Sequence, residues 1–461
     1  MMAVFDPLRL AEVAWDVGCA HAQSPRAITL RQRSRLTSLL DSASRSRWLR
    51  GLVQGRAGDA ITLQDLPVMH KRDLMARFDD WVADPALHLP ELVQFTADPG
   101  NIAQPFLGRY QVWVSSGTSG EPAVFVQDAR AMAVYDALES LRRATPSVAM
   151  GWPDPALLAQ RIAFVGATSG HFASMVSMQR LRQISPWMAQ TLRCFSIEQP
   201  VARLVQALND FSPSVIASYP SAAAMLADEA GRGSLHVRLR EVWTGGETLG
   251  SAQREHIAQA LGCKVRNSYG ASEFLPIGWE CAHGNMHVNA DWVILEPVDR
   301  AWRPVPAGTR SHTTLLTNLA NHVQPLVRYD IGDRITVATQ PCACGSPLPV
   351  IDVQGRQDDV LVMAGQRGRP VTVLPLALCT VLEDDAGVFD FQLHQRNART
   401  LVLRLALRGA EARAAAARCE SALCRFARLQ GLAPITVVHE PHAAFIRGRS
   451  GKLQRIVAMQ P

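Results

Sequence analysis

Val114-Ser115-Ser116-Gly117-Thr118-Ser119-Gly120-Glu121-Pro122 follows a short β-rich run at 111–114 and crowds hydroxyl and glycine residues into one loop. Such a loop can wrap phosphate oxygens, because glycines let backbone N–H groups close on a ligand while Ser and Thr hydroxyls donate further hydrogen bonds. It is not a Walker loop, since G-x-x-x-x-G-K-[ST] cannot be aligned on it. Taken alone it is equally a flexible Ser/Gly turn, and its weight comes from what lies further along. Gly245-Gly246-Glu247 follows a strand-like run at 237–244, and Tyr269-Gly270-Ala271-Ser272-Glu273 follows one at 264–268. In an open parallel sheet the ligand crevice lies at the carboxyl ends of strands, where both stretches fall. Glu273 can hold Mg2+, which prefers carboxylate and phosphate oxygens, and Tyr269 offers an aromatic face to a base such as adenine.

Strand-like runs at 111–114, 161–165, 214–218, 237–244 and 264–268 alternate with helical patterns near 129–143, 201–211, 221–230 and 251–261. This alternation predicts an α/β fold whose strands are mainly parallel. Residues 1 to about 105 read as helices and loops, and 291–340 as a β-rich subdomain with strands at 292–295 and 313–317. After Gly355 the pattern changes to a small α+β unit: strand 360–363, helix 374–382, strands 388–393 and 400–407, helix 410–428, strand 435–439. The expected organisation is a large N-terminal domain, 1–354, and a small C-terminal domain, 355–461, of ordinary domain size.

At 461 residues, 48% hydrophobic and 19% charged, the chain has ample apolar material for more than one core, which excludes disorder. The net charge of +6 is spread out, without the blocks of like charge that mark a nucleic-acid arm or a membrane patch. Asp6, Arg9, Glu12 and Asp16 interrupt any signal-peptide core, and no run of eighteen apolar residues occurs, so a cytoplasmic protein is expected. Lysine occurs only at Lys71, Lys264 and Lys452, leaving 47 − 3 = 44 arginines. A lysine kept against that background hints at a site needing a compact ammonium that a planar guanidinium cannot replace. Nine cysteines, an odd number, point to reduced thiols. Cys281, His287, Cys342 and Cys344 make a donor set suited to tetrahedral Zn2+, with His283 as an alternative ligand. Four protein ligands leave no open position, so such a zinc would be structural.

Three further segments complete a series: Arg328-Tyr329-Asp330-Ile331-Gly332-Asp333, Gly355-Arg356-Gln357-Asp358-Asp359, and Gly451-Lys452-Leu453-Gln454-Arg455. The order and spacing of all six resemble the acyl-adenylate-forming superfamily, in its branch of phenylacetate–CoA ligases and deazaflavin-adenylating (coenzyme F synthetase-like) enzymes, from about Leu66 to Arg455. The resemblance implies an AMP-binding N-terminal domain, a mobile C-terminal lid and an acid–thiol ligase. Ser115, Ser116, Gly117 and Thr118 would form its phosphate loop, and Gly245, Gly246 and Glu247 part of the adenine pocket. Tyr269 and Gly270 would flank the base, Ser272 would contact phosphate, and Glu273 would bind Mg2+. Asp333, assisted by Arg356, would grip the ribose hydroxyls, and Asp358 would be the hinge. Lys452 would bridge the attacking carboxylate and the α-phosphate, a positioning and electrostatic task.

The family loop usually continues Gly-Lys-Pro, whereas this chain reads Gly120-Glu121-Pro122. Either Glu121 points away into solvent, or ATP affinity rests more on magnesium and on nearby arginines such as Arg130. Gly166, His171 and Tyr219, each just past a strand, are candidates for the acid pocket. Asn289-Ala290-Asp291-Trp292 and the segment 316–321 look more like the deazaflavin-synthetase relatives, which shades the role towards biosynthetic aryl-acid activation. The implied cofactors are ATP, Mg2+ and CoA, or the phosphopantetheine of an acyl carrier protein in CoA's place, with structural Zn2+. The implied partners are a small carboxylic acid and, from the relatives, a second copy in a homodimer, without nucleic acid or membrane. A carrier-protein-loading enzyme and a nucleotide-binding homologue without turnover are the rival readings.

Overall fold

The structure, a computed structural model, describes residues 4–53, 62–115, 123–143, 160–354, 360–366, 368–388, 391–441, 445 and 455–459. Its strands in chain order are β1 (Gln111–Val114), β2 (Val124–Gln127), β3 (Ile162–Gly166), β4 (Leu192–Ser196), β5 (Val215–Ser218), β6 (Glu241–Thr244), β7 (Lys264–Ala271), β8 (Phe274–Glu280), β9 (Met286–Val288) and β10 (Val293–Val298). There follow β11 (Thr313–Asn318), β12 (Tyr329–Asp330), β13 (Arg334–Val337), β14 (Val350–Gln354), β15 (Leu361–Ala364), β16 (Pro370–Val373), β17 (Phe391–Asn397), β18 (Thr400–Leu405), β19 (Thr436–His439) and β20 (Ile456–Val457).

One nine-stranded sheet runs β13-β14-β9-β8-β7-β6-β5-β3-β4. From β4 to β7 all neighbours are parallel, as the strand–helix alternation predicts. Beyond β7 they are antiparallel, so the expectation of mainly parallel strands holds for one half of the sheet. The reversal has a local cause: Ser272 and Glu273 alone separate β7 from β8, and two residues can only return a chain antiparallel. The hairpin β1–β2 stands apart as its own antiparallel pair, and β10, β11 and β12 make a further three-stranded sheet in the region read as β-rich.

Helices cover these sheets for ordinary reasons. Pro7–Ala20 begins with Asp6 accepting from the Arg9 N–H at 2.9 Å and with proline in the first turn, where no amide hydrogen is needed. Val201–Phe211 buries Leu204, Val205, Leu208 and Phe211 along one stripe and stops at Ser212, whose φ of 50° is left-handed. At the C-terminal end the sheet β19-β18-β17-β20 carries the helix Gly409–Leu429. Leu393, Leu403, Cys419 and Leu423 of that unit share one buried cluster with Val165, Leu226 and Val242 of the large sheet and its helices. The boundary expected at 354/355 falls beside 355–359, which lie outside the described residues. No helix among the described residues is long and apolar enough to cross a membrane.

Candidate functional site

A cleft of about 1880 Å³ runs along the large sheet, and its wall takes in the residues at the carboxyl ends of β5, β6 and β7, the end of an open sheet at which ligands lodge. β6 delivers Gly245 and Gly246 to its wall. Gly246 has φ +79°, and the Tyr219 ring lies 3.1 Å from where a Cβ would stand, so both backbone and space call for glycine. The Glu247 carboxylate accepts from the Ser221 N–H and hydroxyl, each at 2.9 Å, and so caps the helix Pro220–Gly231 with negative charge.

β7 delivers Tyr269, whose hydroxyl donates to Asp333 Oδ2 at 2.9 Å. Burial, with the Asp333 charge beside it, holds the phenol well above its usual value, so it remains a donor at any working pH. Gly270 has no room for a side chain, because a Cβ would meet the Leu275 carbonyl oxygen at 2.0 Å. Ser272 and Glu273 form the hairpin tip on the same wall. Burial raises the Glu273 carboxyl; a hydrogen bond from Tyr329 and the Lys71 charge pull it back, while Asp333 pushes it up.

Ser115 reaches the cleft from the end of β1. Its N–H donates to the Ala123 carbonyl at 2.9 Å and its hydroxyl accepts from the Ala123 N–H at 3.0 Å, closing the neck of the 116–122 loop. Ser116, Gly117, Thr118 and Glu121 lie outside the described residues, as do Arg356, Asp358 and Lys452. Arg455, three residues after Lys452, lines the cleft; it pairs with Glu383 at 2.5 Å and stacks 4.1 Å over the Phe391 ring.

The cleft thus gathers Ser115, Tyr219, Gly245, Gly246, Glu247, Tyr269, Gly270, Ser272, Glu273 and Asp333. Gly166 and His171 are not on its wall: the Gly166 carbonyl is taken by the Ile197 N–H, and His171 is buried beside Phe95, its imidazole lowered by burial. Their neighbours Ala167 and Phe172 line the cleft instead. Arg130 is also absent from the wall; it follows β2 at the end away from the loop, among Arg9, Asp128 and Glu12. A residue the sequence reading left without a role, Lys71, is on the wall and acts electrostatically on Glu273. Its only signal was the scarcity of lysine.

The four metal-ligand candidates meet at the far end of β8, their donor atoms all within 4.8 Å of one another. Zn–S bonds of about 2.3 Å at tetrahedral angles set two thiolates about 3.8 Å apart, and the Cys281 and Cys342 sulfurs are 3.8 Å apart. His287 Nδ1 bonds the Leu348 carbonyl at 2.9 Å, which leaves Nε2 facing Cys344 Sγ at 3.3 Å with its lone pair inward. Desolvation raises the Cys342 thiol, but N–H donors from Cys344 and Asn285 outweigh it and bring it down to about 6. Three thiols and one correctly turned imidazole fit Zn2+; His283 is exposed and outside the group.

No family model matches the chain. It is 32% identical over 180 residues to the phenylacetate-coenzyme A ligase of Thermus thermophilus and 27% identical over 176 residues to that of Pseudomonas putida. Each match covers 37% of this chain and 40% of the relative, so the chain spans well under half the length of these curated relatives. Over nearly its whole length it superposes on 2-hydroxyisobutyryl-CoA ligase, solved with 2-HIB-AMP and CoA, with a TM-score of 0.58, 20% identity, and coverage of 95% of this chain and 91% of that one. The chain shares the fold of that ligase. A second structure of that ligase, in its postadenylation state, superposes with a TM-score of 0.52 over 93% of this chain. Both sequence matches are to phenylacetate-coenzyme A ligases.

Proposed function

We propose that this chain is an AMP-forming acid–thiol ligase: it joins a carboxylic acid to ATP as an acyl adenylate, releasing pyrophosphate, and then passes the acyl group to CoA. The observation that carries this reading is the Tyr269–Asp333 hydrogen bond on the wall that also bears Gly245, Gly246 and Glu273. Asp333 would grip the ribose hydroxyls, the two glycines and Tyr269 would bound the adenine, and Ser115 with Ser116, Gly117 and Thr118 would hold phosphate. Glu273 fits Mg2+, which takes one or two carboxylates and completes its shell with phosphate oxygens and water; the ion would screen phosphate charge. Ser272 would add a hydroxyl contact to phosphate.

Lys452 would place its ammonium between carboxylate and α-phosphate. Arg455 on the cleft wall supports its reach, since three residues span at most about 11 Å. Glu121 cannot pair with pyrophosphate, and Lys71, beside Glu273, would supply the missing cation. Residues 1–354 would form the nucleotide-binding body and 355–461 a lid turning about Asp358, with Arg356 at its base. The Cys281, His287, Cys342 and Cys344 group would hold a structural zinc. Phe164, Phe172, Met178 and Trp243 on the cleft wall favour an aryl acid of benzoate or phenylacetate type.

ATP–pyrophosphate exchange across a panel of aryl and aliphatic acids tests the reading. Exchange with at least one acid, abolished in Lys452→Ala while thioester formation from supplied acyl adenylate persists, is the expected result. Equal loss of both steps in that variant contradicts the role given to Lys452, and ATP binding without exchange for any acid contradicts the enzyme.

A further inference from the structure

The Ser272–Glu273 tip is held from outside its own hairpin. Ala271 and Phe274 are its closing pair, so the turn has two residues, and the β7–β8 register shifts between Tyr269 and Ala271. Two-residue hairpins normally use turns with positive φ, whose twist matches the strands. Neither Ser272 nor Glu273 has positive φ. The carbonyls of both turn residues are instead taken by buried side chains from distant segments: Trp113 Nε1 donates to Ser272 at 2.8 Å and Asn318 Nδ2 to Glu273 at 2.9 Å.

Asn318 is fully buried and uses its whole hydrogen-bonding capacity. Its two amide hydrogens go to Glu273 and to the Tyr135 hydroxyl at 2.9 Å, and its oxygen accepts from the N–H groups of Ala320 at 2.9 Å and Asn321 at 3.2 Å. Asp would lose both donors and Leu all four bonds. The same strap continues to the phosphate-loop hairpin. Asn321 Nδ2 donates to the Val126 carbonyl at 2.8 Å; Gln324 accepts from the Val126 N–H at 2.8 Å and donates to the Val124 carbonyl at 2.9 Å. Trp113 itself sits on β1.

We propose that Asn318, seconded by Trp113, is a positioning residue that fixes the Glu273 carboxylate at a set distance from the phosphate-loop hairpin. The proposal rests on the reading of Glu273 as the magnesium carboxylate. An ion bridging Glu273 and a phosphate held by that hairpin needs both sides placed to within about 0.5 Å, and one buried amide strap references both to the same point.

The test measures ATP affinity of the full chain by calorimetry with Mn2+ and with EDTA, together with the Mn2+ paramagnetic resonance spectrum, so that no acid substrate is needed. Asn318→Leu should cut the Mn2+-dependent gain in ATP affinity by about fivefold or more, the factor carried by one hydrogen bond, and broaden the bound-ion spectrum. Metal-free ATP binding should stay within about twofold of the parent. Tyr135→Phe, which removes the other partner of the same amide group, should keep the metal gain. An undiminished gain in Asn318→Leu overturns the proposal, and so does an equal loss in Tyr135→Phe, which would mark simple core packing. If circular dichroism shows Asn318→Leu unfolded, Trp113→Phe replaces it with the same expected loss, and an unchanged gain there is equally fatal. A parent protein whose ATP affinity ignores Mn2+ sinks the underlying reading of Glu273, and this proposal with it.

Discussion

Asp333→Asn removes a charge from the cleft while keeping an oxygen for the Tyr269 hydroxyl, which now donates to Asp333 at 2.9 Å. An ionised carboxylate offers about four lone-pair sites. Tyr269 takes one, and the assignment gives two others to the ribose hydroxyls. Replacing two charged hydrogen bonds by neutral ones loses about 1 kcal/mol each. Together these should raise the KM for ATP about 30-fold. The assay is ATP–pyrophosphate exchange at saturating acid, with the KM for the acid and the thermal midpoint measured alongside. The KM for acid should hold within about twofold, since the carboxylate is assigned to the nucleotide alone. A rise in the ATP value below about threefold, or an equal rise for the acid, refutes the assignment.

Asp291→Ala should lower stability by about 3–5 kcal/mol in denaturant melts, because it strands the Arg142 guanidinium, 1% exposed, with Asn289 as its remaining bonded partner among the described residues; a change under about 1 kcal/mol would contradict the pairing. Metal analysis should find about one zinc per chain, lost together with a fall in thermal midpoint in Cys344→Ser, and a metal-free protein of undiminished stability would remove the site. Burial, with Glu383 and Asp385 nearby, pushes the Asp384 carboxyl up to about 6 where it meets Ser169 at 2.9 Å, itself 3.0 Å from Glu198. A raised folded value stabilises below the ordinary carboxylate range, and that contribution is lost as pH rises through about 6. Asp384→Asn should therefore gain on the parent in thermal midpoint between pH 5 and pH 7.5, by a small margin because the side chain is exposed; a constant difference would contradict this.

Much of the α/β layout was legible because periodicity reports burial directly. The stripe of Leu204, Val205, Leu208 and Phe211 predicts its helix to the residue, and the runs ending at Ser218 and Thr244 mark where the cleft begins. β4 was not foreseen, since Arg193 sits in a five-residue run broken by partial exposure. Proximity along the chain misled for Arg130, because a strand has two ends and the loop is at the other one. Lys71 and Asn318 carry no local pattern at all: both act on Glu273 from distant stretches of chain, one before it and one after, and only the fold brings them there. The cysteines were readable because metal chemistry narrows the donor types, while the tie-break between His283 and His287 needed the Leu348 carbonyl that turns the His287 ring.

A crystal structure of the chain grown with AMP asks most directly whether the cleft is a nucleotide site. The nucleoside should lie with its sugar hydroxyls on Asp333 and its base between Gly246 and Tyr269. Density for AMP at any other place, with that wall bare, would contradict the account.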